Sequence, residues 1–309
     1  MKKQLTKQKL PTVTVAVSAY NEEKNVLPFL KSVLRQKLKN TILEKILVIS
    51  DGSTDKTVQK AGSLKSRLIE VRDYKKREGK SMRLNEIYSS LNSDFLIQSD
   101  ADVVLLNKFT IQNLIKPMLQ DKKVGMSGGN TMPLKAETFT EKAVNLTGEV
   151  YAIFRRNIRN GNNIFSADGR LLAFRKRVVK KIHIPCDMIA NDQFTYFSCL
   201  MQGEKYRFSK KAIIYYRSPQ TLKDQIKQNT RFLASPIRLR KYFPDNLVYG
   251  ETYVPIKLRL KAYFSGFLKQ PILASYIFIV NTYCRIKAVN AEKILNAKWP
   301  IAISTKALK

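Results

Sequence analysis

Histidine and cysteine are scarce in this sequence, which has one histidine, His183, and three cysteines, Cys186, Cys199 and Cys284. No two cysteines have CxxC spacing and three cannot all pair, so neither a disulfide scaffold nor a cysteine-rich zinc site is expected. This usage favours a reducing compartment. A lone histidine is read as a surface or strand-end residue, and any catalytic metal must therefore be held by oxygen ligands.

Acidic residues are also few, since 24 Asp plus Glu stand against 56 Lys plus Arg and give the 309-residue chain a formal net charge of +32. Such an excess indicates an anionic partner, which leaves nucleic acid, an anionic membrane or phosphorylated substrates. The 12 glycines and 11 prolines are too few for a collagen-like or largely disordered chain. No long apolar run follows the basic tail at 1–10, so no secretory signal is predicted.

The first half of the chain alternates strand-like and helix-like segments. β-branched and apolar runs predict strands, and apolar residues at helical spacing predict helices. The strands are predicted at 12–18, 45–49, 68–71 and 94–98, and the helices at 22–35, 57–61 and 81–91. This β-α-β-α order implies an α/β fold with a mostly parallel sheet flanked by helices on both faces.

Polar clusters follow three of the predicted strands, at 20–22 (Tyr-Asn-Glu), 51–53 (Asp-Gly-Ser) and 100–102 (Asp-Ala-Asp). Ligands of open α/β sheets bind outside the carboxyl ends of the strands. Periodicity alone therefore predicts that these clusters meet at one edge of the sheet.

The second half is less regular. Helices are predicted at 142–158, 189–201 and 222–233, a loop and strand at 164–175, and short strands at 206–209 and 212–216. The apolar run at 271–284 is shorter than the roughly 20 residues of a membrane span. We expect an interfacial or re-entrant helix there, ahead of a core helix and of a true span.

Basic residues surround this apolar run: Arg238, Arg240, Lys241, Lys257, Arg259, Lys261, Arg285, Lys287 and Lys293. Near an anionic cytoplasmic leaflet each is worth about 1 kcal/mol of attraction. A basic helical C-terminal extension that associates with the membrane is therefore predicted for 236–309, after a catalytic domain at 11–235.

Four residues at the predicted sheet edge have side chains suited to chemistry. Asp100 and Asp102, two positions apart, can share Mg²⁺ or Mn²⁺ through carboxylate oxygens, although an acidic turn is the simpler alternative. Asp51 can accept a hydrogen bond from a nucleobase N–H or can cap the next helix. Lys80 can meet a phosphate or remain solvated.

Two further groups come from the second half. Asp192, after Asn191, is either a helix N-cap or a general base that takes a proton from a hydroxyl acceptor. Gln228 and Arg231 are three residues apart and share a helix face. Arg231 can hold a diphosphate, and Phe232 can stack on an acceptor or fill the core.

In this order, these motifs resemble family 2 glycosyltransferases of the GT-A fold. The likeness extends over about two-thirds of the chain, from residue 12 to residue 232. It rests on TVTVAVSAYNEEKNV, VISDGSTDKT, GKSMRLNEI, IQSDADVVL, LLAFRKRV and QNTRF, the last similar to the Gln-x-x-Arg-Trp signature. The resemblance implies inverting transfer from a nucleotide-diphosphate sugar to a hydroxyl acceptor.

On the donor side, the resemblance places Ala19, Tyr20 and Glu22 against the nucleoside. It implies that Asp51 holds the base and that Lys80 lies near the nucleotide.

On the reaction side, the resemblance gives Asp100 to the ribose or metal and Asp102 to the metal and diphosphate. Asp192 becomes the general base, and Gln228 and Arg231 border the acceptor and diphosphate. The implied cofactor is Mg²⁺ or Mn²⁺, which as a Lewis acid neutralises the leaving diphosphate.

Two positions depart from the family pattern, with Asn191 where Glu is frequent and Phe232 in place of Trp. The second weakens any inference of processive synthesis. With no clear long span, we expect a membrane-surface enzyme on the cytoplasmic face that acts on a lipid-linked or envelope glycan acceptor.

Two other functions remain open. A non-enzymatic nucleic-acid-binding protein would suit the charge of +32, but no known reader motif is present. A sugar nucleotidyltransferase shares a similar sheet but calls for a glycine-rich phosphate loop where this chain has SAYNEE. A pyrophosphate product would identify the latter.

Overall fold

The computed structural model describes residues 9–296, 298, 302–306 and 308, so most of the predicted basic tail at 1–10 lies outside the described residues. Within them, eight strands form one sheet. The strands are β1 (Thr12–Ala19), β2 (Ile42–Asp51), β3 (Ile69–Tyr74), β4 (Phe95–Ser99), β5 (Val103–Leu105), β6 (Val124–Pro133), β7 (Leu171–Arg175) and β8 (Lys205–Tyr216).

The sheet has the order β3-β2-β1-β4-β7-β6-β8-β5, and only β7 and β5 run antiparallel to their neighbours. At its centre Val15 of β1 pairs with Ile46 of β2 and Ile97 of β4. All three side chains are at most 1% exposed. A strand covered on both faces has a continuous apolar run, which is why β1 could be recognised from sequence. The mostly parallel sheet is confirmed.

The described part of the chain also contains eleven α-helices. They are α1 (Val26–Leu34), α2 (Thr57–Ser63), α3 (Lys80–Ser90), α4 (Thr110–Gln120), α5 (Phe139–Asn157), α6 (Lys176–Val179), α7 (Asn191–Met201), α8 (Leu222–Leu239), α9 (Asp245–Thr252), α10 (Ile256–Lys269) and α11 (Pro271–Ile294).

The core has two apolar layers, one on each face of the sheet. Leu84 of α3 and Phe197 of α7 belong to one layer. Leu30 of α1 and Ile115 of α4 belong to the other. Helices therefore cover both faces, as predicted.

Three sequence-based boundaries need correction. The helix predicted at 22–35 begins only at Val26, because the chain first turns at Asn21, whose φ is +53°. The strands predicted at 206–209 and 212–216 are one strand, β8. A bulge divides the pattern, since the partner of β6 jumps from Ser209 to Ile213 between neighbouring positions. The segment 103–133, with no predicted elements, forms β5, α4 and β6.

The apolar run near the C-terminus belongs to a longer helix than expected. α11 has 24 residues and continues ten positions past Cys284. The length predicted from sequence is therefore wrong, because α11 is not too short to span a membrane. By length and composition α11 qualifies as a candidate span.

Candidate functional site

A cavity of about 230 Å³ opens at the edge where β1, β2 and β4 end. It is lined by every residue predicted for the site except one: Tyr20, Glu22, Asp51, Lys80, Asp100, Asp102, Asp192, Gln228, Arg231 and Phe232. The exception is Ala19, whose side chain lies in an apolar core layer with 1% exposure. The three polar clusters that follow β1, β2 and β4 therefore do meet at one edge of the sheet, as predicted.

Asp51 organises one wall of the cavity. Its carboxylate is 3% exposed and accepts hydrogen bonds from the Glu78 amide at 2.9 Å, the Gly79 amide at 2.8 Å and Arg83 Nε at 2.8 Å. Gly52 is required beneath this loop, because its φ is +74° and a Cβ would lie 2.7 Å from the Arg77 nitrogen. Asp51 thus shapes the loop at 77–79 as well as facing the cavity.

We expect Asp51→Ala to lower the free energy of unfolding by about 3–5 kcal/mol, because it leaves three buried donors without their acceptor: Arg83 Nε and the amides of Glu78 and Gly79. Urea denaturation measures this. Asp73→Ala is the matched control: Asp73 is an exposed β3 residue whose partner is the solvated Lys75, and its loss is expected to change stability by less than about 0.5 kcal/mol. Equal losses in the two variants would contradict this role of Asp51.

Lys80, the first residue of α3, forms a close ion pair with Asp100. Burial opposes the ammonium charge, but the charge and hydrogen bond of Asp100 outweigh it and raise the pKa of Lys80. Lys80 is therefore a fixed positive charge inside the cavity, close enough to Asp192 for the two to interact electrostatically.

Two other carboxylates, those of Glu22 and Asp100, lie close enough to Asp102 to affect its ionisation. Burial, followed by the charges of Glu22 and Asp100, raises the pKa of Asp102 to about 7. Burial likewise raises the pKa of Glu22, although Lys306 and Asn25 act in the other direction. No cluster of three or more close-set metal ligands occurs among the described side chains. Asp100 and Asp102 nevertheless fit a hard divalent cation, since they are oxygen donors whose mutual repulsion a cation would relieve.

Asp192 lies in the first turn of α7. Its Oδ2 accepts a hydrogen bond from the Gly169 amide at 3.3 Å, and its Oδ1 accepts one from the amide of the next residue, Gln193, at 2.9 Å. Burial and then the charge of Asp168 raise the pKa of Asp192, against the lowering effects of the Gln193 amide and of two cations. The N-cap position belongs to Ala190, so Asp192 is not the cap of α7. A carboxylate with a raised pKa is a stronger base than an ordinary aspartate.

The predicted helix face on α8 contributes to the same cavity. Arg231 donates from Nη1 to the Ile189 carbonyl at 2.9 Å, which holds the loop that leads into Asp192. Burial lowers the pKa of Arg231, opposed by the charges of Asp192 and Asp100. Phe232 is 45% exposed, with the Arg231 guanidinium 4.9 Å from its ring centre.

Sequence reasoning missed one segment at 302–306, which returns from α11 to the cavity. Lys306 pairs with Glu22 Oε1 at 2.6 Å and donates to the Asn21 carbonyl at 3.0 Å. Ser304 anchors the segment by donating its amide to Asp224 Oδ2 at 2.9 Å. About 280 residues separate Lys306 from Glu22, and no local pattern marks the segment.

Sequence reasoning also missed four charged lining residues outside this segment: Arg77, Asp168, Arg170 and Arg217. The Arg77 guanidinium lies 4.3 Å from the centre of the Tyr20 ring. Arg217 forms ion pairs with Glu137 and Glu141. In a chain with 56 basic residues, no composition signal distinguishes these arginines from solvated ones.

Solved structures share this fold. A mannosyltransferase from Pyrobaculum calidifontis in complex with GDP-Man and Mn²⁺ has a TM-score of 0.58 and 18% identity, covering 92% of this chain and 74% of that one. Glucosyl-3-phosphoglycerate synthase from Mycobacterium tuberculosis, in complex with Mn²⁺, UDP and phosphoglyceric acid, has a TM-score of 0.53 and 15% identity, covering 76% of this chain and 80% of that one. S. aureus TarS 1–349 has a TM-score of 0.53 and 13% identity, covering 92% of this chain and 91% of that one. The expected GT-A fold is confirmed.

Sequence comparison points to the same class of enzyme. The probable glycosyltransferase YdaM of Bacillus subtilis (strain 168) is 26% identical over 299 residues, which cover 89% of this chain and 68% of that protein. The model for glycosyl transferase family group 2 matches residues 99–301, and that for glycosyl transferase family 2 matches residues 14–183. Since the latter spans more than half of the chain, this protein belongs to glycosyl transferase family 2 and is a glycosyltransferase.

Proposed function

We propose that this glycosyltransferase moves a sugar from a nucleoside-diphosphate sugar to a hydroxyl acceptor with inversion, and that Asp192 is its general base. The observation that carries the proposal is the shared cavity of Asp51, Asp102 and Asp192. A nucleotide site and a proton acceptor in one cavity are what direct displacement at an anomeric carbon requires.

The donor would lie along the edge of the sheet. Its base would be placed by the wall that Asp51 holds, and its nucleoside would lie against Tyr20 and Glu22. Lys80 supplies a fixed positive charge toward the phosphates, and a point charge of this kind suits phosphate oxygens. Lys306, now paired with Glu22, would close the nucleoside end.

A divalent cation is part of the proposal, with Asp100 and Asp102 as its protein ligands. The M. tuberculosis and P. calidifontis structures are complexes with both Mn²⁺ and a nucleotide or nucleotide sugar, and the oxygen ligands here suit either Mn²⁺ or Mg²⁺. When bound, the ion would act as a Lewis acid on the diphosphate.

The acceptor would enter on the Asp192 side. In this arrangement Asp192 takes the hydroxyl proton as the acceptor oxygen attacks, and Gly169 and the helix α7 hold its carboxylate in place. Arg231 fixes the preceding loop through Ile189. Phe232 and Gln228 would border the acceptor.

We further propose that the enzyme works at the cytoplasmic face of a membrane on a lipid-linked or envelope glycan acceptor. α10 supports this with an unusual exposed face. Apolar residues at least half exposed recur at helical spacing: Ile256, Leu260, Tyr263, Phe264, Phe267 and Leu268. The opposite face, with Ala262 and Gly266, is buried, and a Cβ on Gly266 would lie 3.3 Å from Val150 of α5.

Charge on these two helices suits an anionic surface. Residues 256–294 contain seven basic residues and one acidic residue, Glu292. Glu292 is 4% exposed and pairs with Arg238 of α8, so the outer surface of α10 and α11 has only positive formal charges. An apolar face bordered by Lys and Arg is typical of a helix lying in an anionic lipid interface.

The variant Phe264→Asp/Leu268→Asp is expected to weaken binding to phosphatidylglycerol-containing vesicles at least about tenfold, because each buried side chain contributes about 1.5–3 kcal/mol. Vesicle co-sedimentation measures this. Met201→Asp is the control, since Met201 is 59% exposed on α7 and lies outside α10 and α11. If the double variant sedimented like the wild type, α10 would not be the membrane contact.

The donor is found by a thermal-shift screen of UDP, GDP and their sugars with and without Mn²⁺. Ligand at 100 times its Kd stabilises the folded state by about 2.7 kcal/mol, so a preferred nucleotide raises Tm by several degrees. Product analysis then separates reaction classes: a nucleoside diphosphate supports glycosyl transfer, whereas pyrophosphate would identify a nucleotidyltransferase. No stabilisation by any nucleotide would overturn the proposal.

A further inference from the structure

Arg170, which directly precedes β7, has a constrained guanidinium in the cavity. Its plane is fixed by stacking 3.6 Å from the centre of the Tyr216 ring, and its Nη1 donates to Asp168 Oδ2 at 2.9 Å. Asp168 is fixed in turn by Thr131 Oγ1, at 2.9 Å, and by the Arg170 amide, at 3.0 Å. An arginine held on both sides loses little freedom when it binds a ligand.

The remaining N–H groups of Arg170 have no acceptor among the residues that the structure describes, although the side chain is only 20% exposed. Arg170 is also a lining residue of the cavity. Other cations there are engaged differently: Lys80 with Asp100, and Lys306 with Glu22. Arg170 therefore offers a rigid, partly unused set of donors, the arrangement that binds phosphate oxygens through two parallel hydrogen bonds.

The position of Arg170 indicates which oxygens these are. On one side it adjoins Gly169, whose amide contacts Asp192. On the other side the cavity continues to Asp100 and Asp102. In a direct displacement, the bond that breaks lies between the proton acceptor and the diphosphate. A donor bound in this arrangement would have the bond from its sugar to the leaving phosphate beside Arg170.

We propose that Arg170 is a catalytic residue that stabilises the departing phosphate of the donor, an inference that rests on the proposed glycosyl transfer. As the acceptor oxygen bonds to the anomeric carbon, the carbon–oxygen bond to the distal phosphate breaks and its electron pair stays on the phosphate oxygen. The acceptor proton passes to Asp192. The Arg170 N–H groups meet the oxygen charge that develops, so their contribution is larger in the transition state than with bound donor.

The test compares Arg170→Gln, Arg170→Lys, Arg170→Ala and Asp168→Asn in the full-length enzyme. For Arg170→Gln we expect kcat to fall about 100-fold while the donor KM changes less than about fivefold. Arg170→Lys should keep part of the rate, and added guanidinium should restore activity to Arg170→Ala. Binding of pyrophosphate with Mn²⁺, measured by calorimetry, should weaken about tenfold in Arg170→Gln.

Guanidinium rescue separates catalysis from structure, and Asp168→Asn should lose less rate than Arg170→Gln because the guanidinium is still present. If Arg170 only holds the turn at 168–170, added guanidinium will not rescue Arg170→Ala, which overturns the inference. A kcat for Arg170→Gln within about twofold of the wild-type value would also overturn the inference. Failure of the proposed function looks different, because the wild-type enzyme itself would then neither bind UDP or GDP with Mn²⁺ nor transfer sugar.

Discussion

Asp192→Asn is expected to reduce kcat by about 10²–10⁴-fold while leaving nucleotide affinity within about twofold of wild type, because it removes the proton acceptor and preserves shape. The amide keeps the size of the carboxyl group, although its single oxygen can replace only one of the two oxygens that accept the Gly169 and Gln193 amides. Turnover assays and calorimetry with the preferred nucleoside diphosphate measure the two effects.

The pH profile gives an independent check on the same residue. Because the pKa of Asp192 is raised above its ordinary value of 3.8, the base loses activity on acidification at a higher pH than an ordinary aspartate would. kcat should therefore rise with pH through that raised pKa, and Asp192→Asn should lack this limb. Asp245→Asn serves as the control, since Asp245 is also in the first turn of a helix but is exposed and outside the cavity. Full activity in Asp192→Asn would require another base.

The parts of the candidate site that could be predicted are those that follow strands. A strand buried on both faces has an apolar run in the sequence, and the polar residue that follows must lie at the sheet edge. That reasoning placed Asp51 and Asp102 together without any distance information. It also explains why Ala19 does not line the cavity, since this residue is still inside β1 and its side chain lies in an apolar core layer.

Contacts between distant segments could not be predicted. Lys306 reaches Glu22 only because α8 and α11 pack and return the chain to the sheet edge. Arg170 was indistinguishable from other arginines until Tyr216 and Asp168 were found around it. Asp51 had two possible roles in sequence, and the structure adds a third, since its oxygens bind the loop at 77–79.

The departures from the family pattern acquire a physical meaning in the structure. Asn191 is 4% exposed and accepts Ser81 Oγ at 3.1 Å, while its amide nitrogen has no partner within the described part of the chain. A buried donor without an acceptor costs about 1–3 kcal/mol. The carboxylate that is more frequent in the family at this position has no donor to leave unpaired.

Asp102→Asn is expected to have opposite effects on catalysis and on stability. Loss of a ligand to the divalent cation should lower kcat by about 10²–10³-fold, since Lewis-acid stabilisation of a leaving group is worth several kcal/mol. Mn²⁺ should then no longer increase the thermal shift produced by nucleotide. Asp121→Asn, a change at an exposed carboxylate outside the cavity, should leave both properties unchanged.

In the absence of metal, Asp102→Asn should increase the free energy of unfolding at alkaline pH. The pKa of Asp102 is about 7 in the folded chain against an ordinary value of 3.8, so the folded state binds more protons than the unfolded state between these values and loses stability as pH rises through this interval. Above pH 7 the buried negative charge is a cost that Asn removes. Metal-free Asp102→Asn should therefore be more stable than wild type at pH 8 by on the order of 1 kcal/mol, and Mn²⁺ should reverse the order.

Because metal binding needs the carboxylate, the affinity of the wild type for Mn²⁺ should fall as pH drops below about 7. If the variant were less stable than wild type at pH 8 without metal, Asp102 would have a compensating partner and would not be the cation ligand of this cavity.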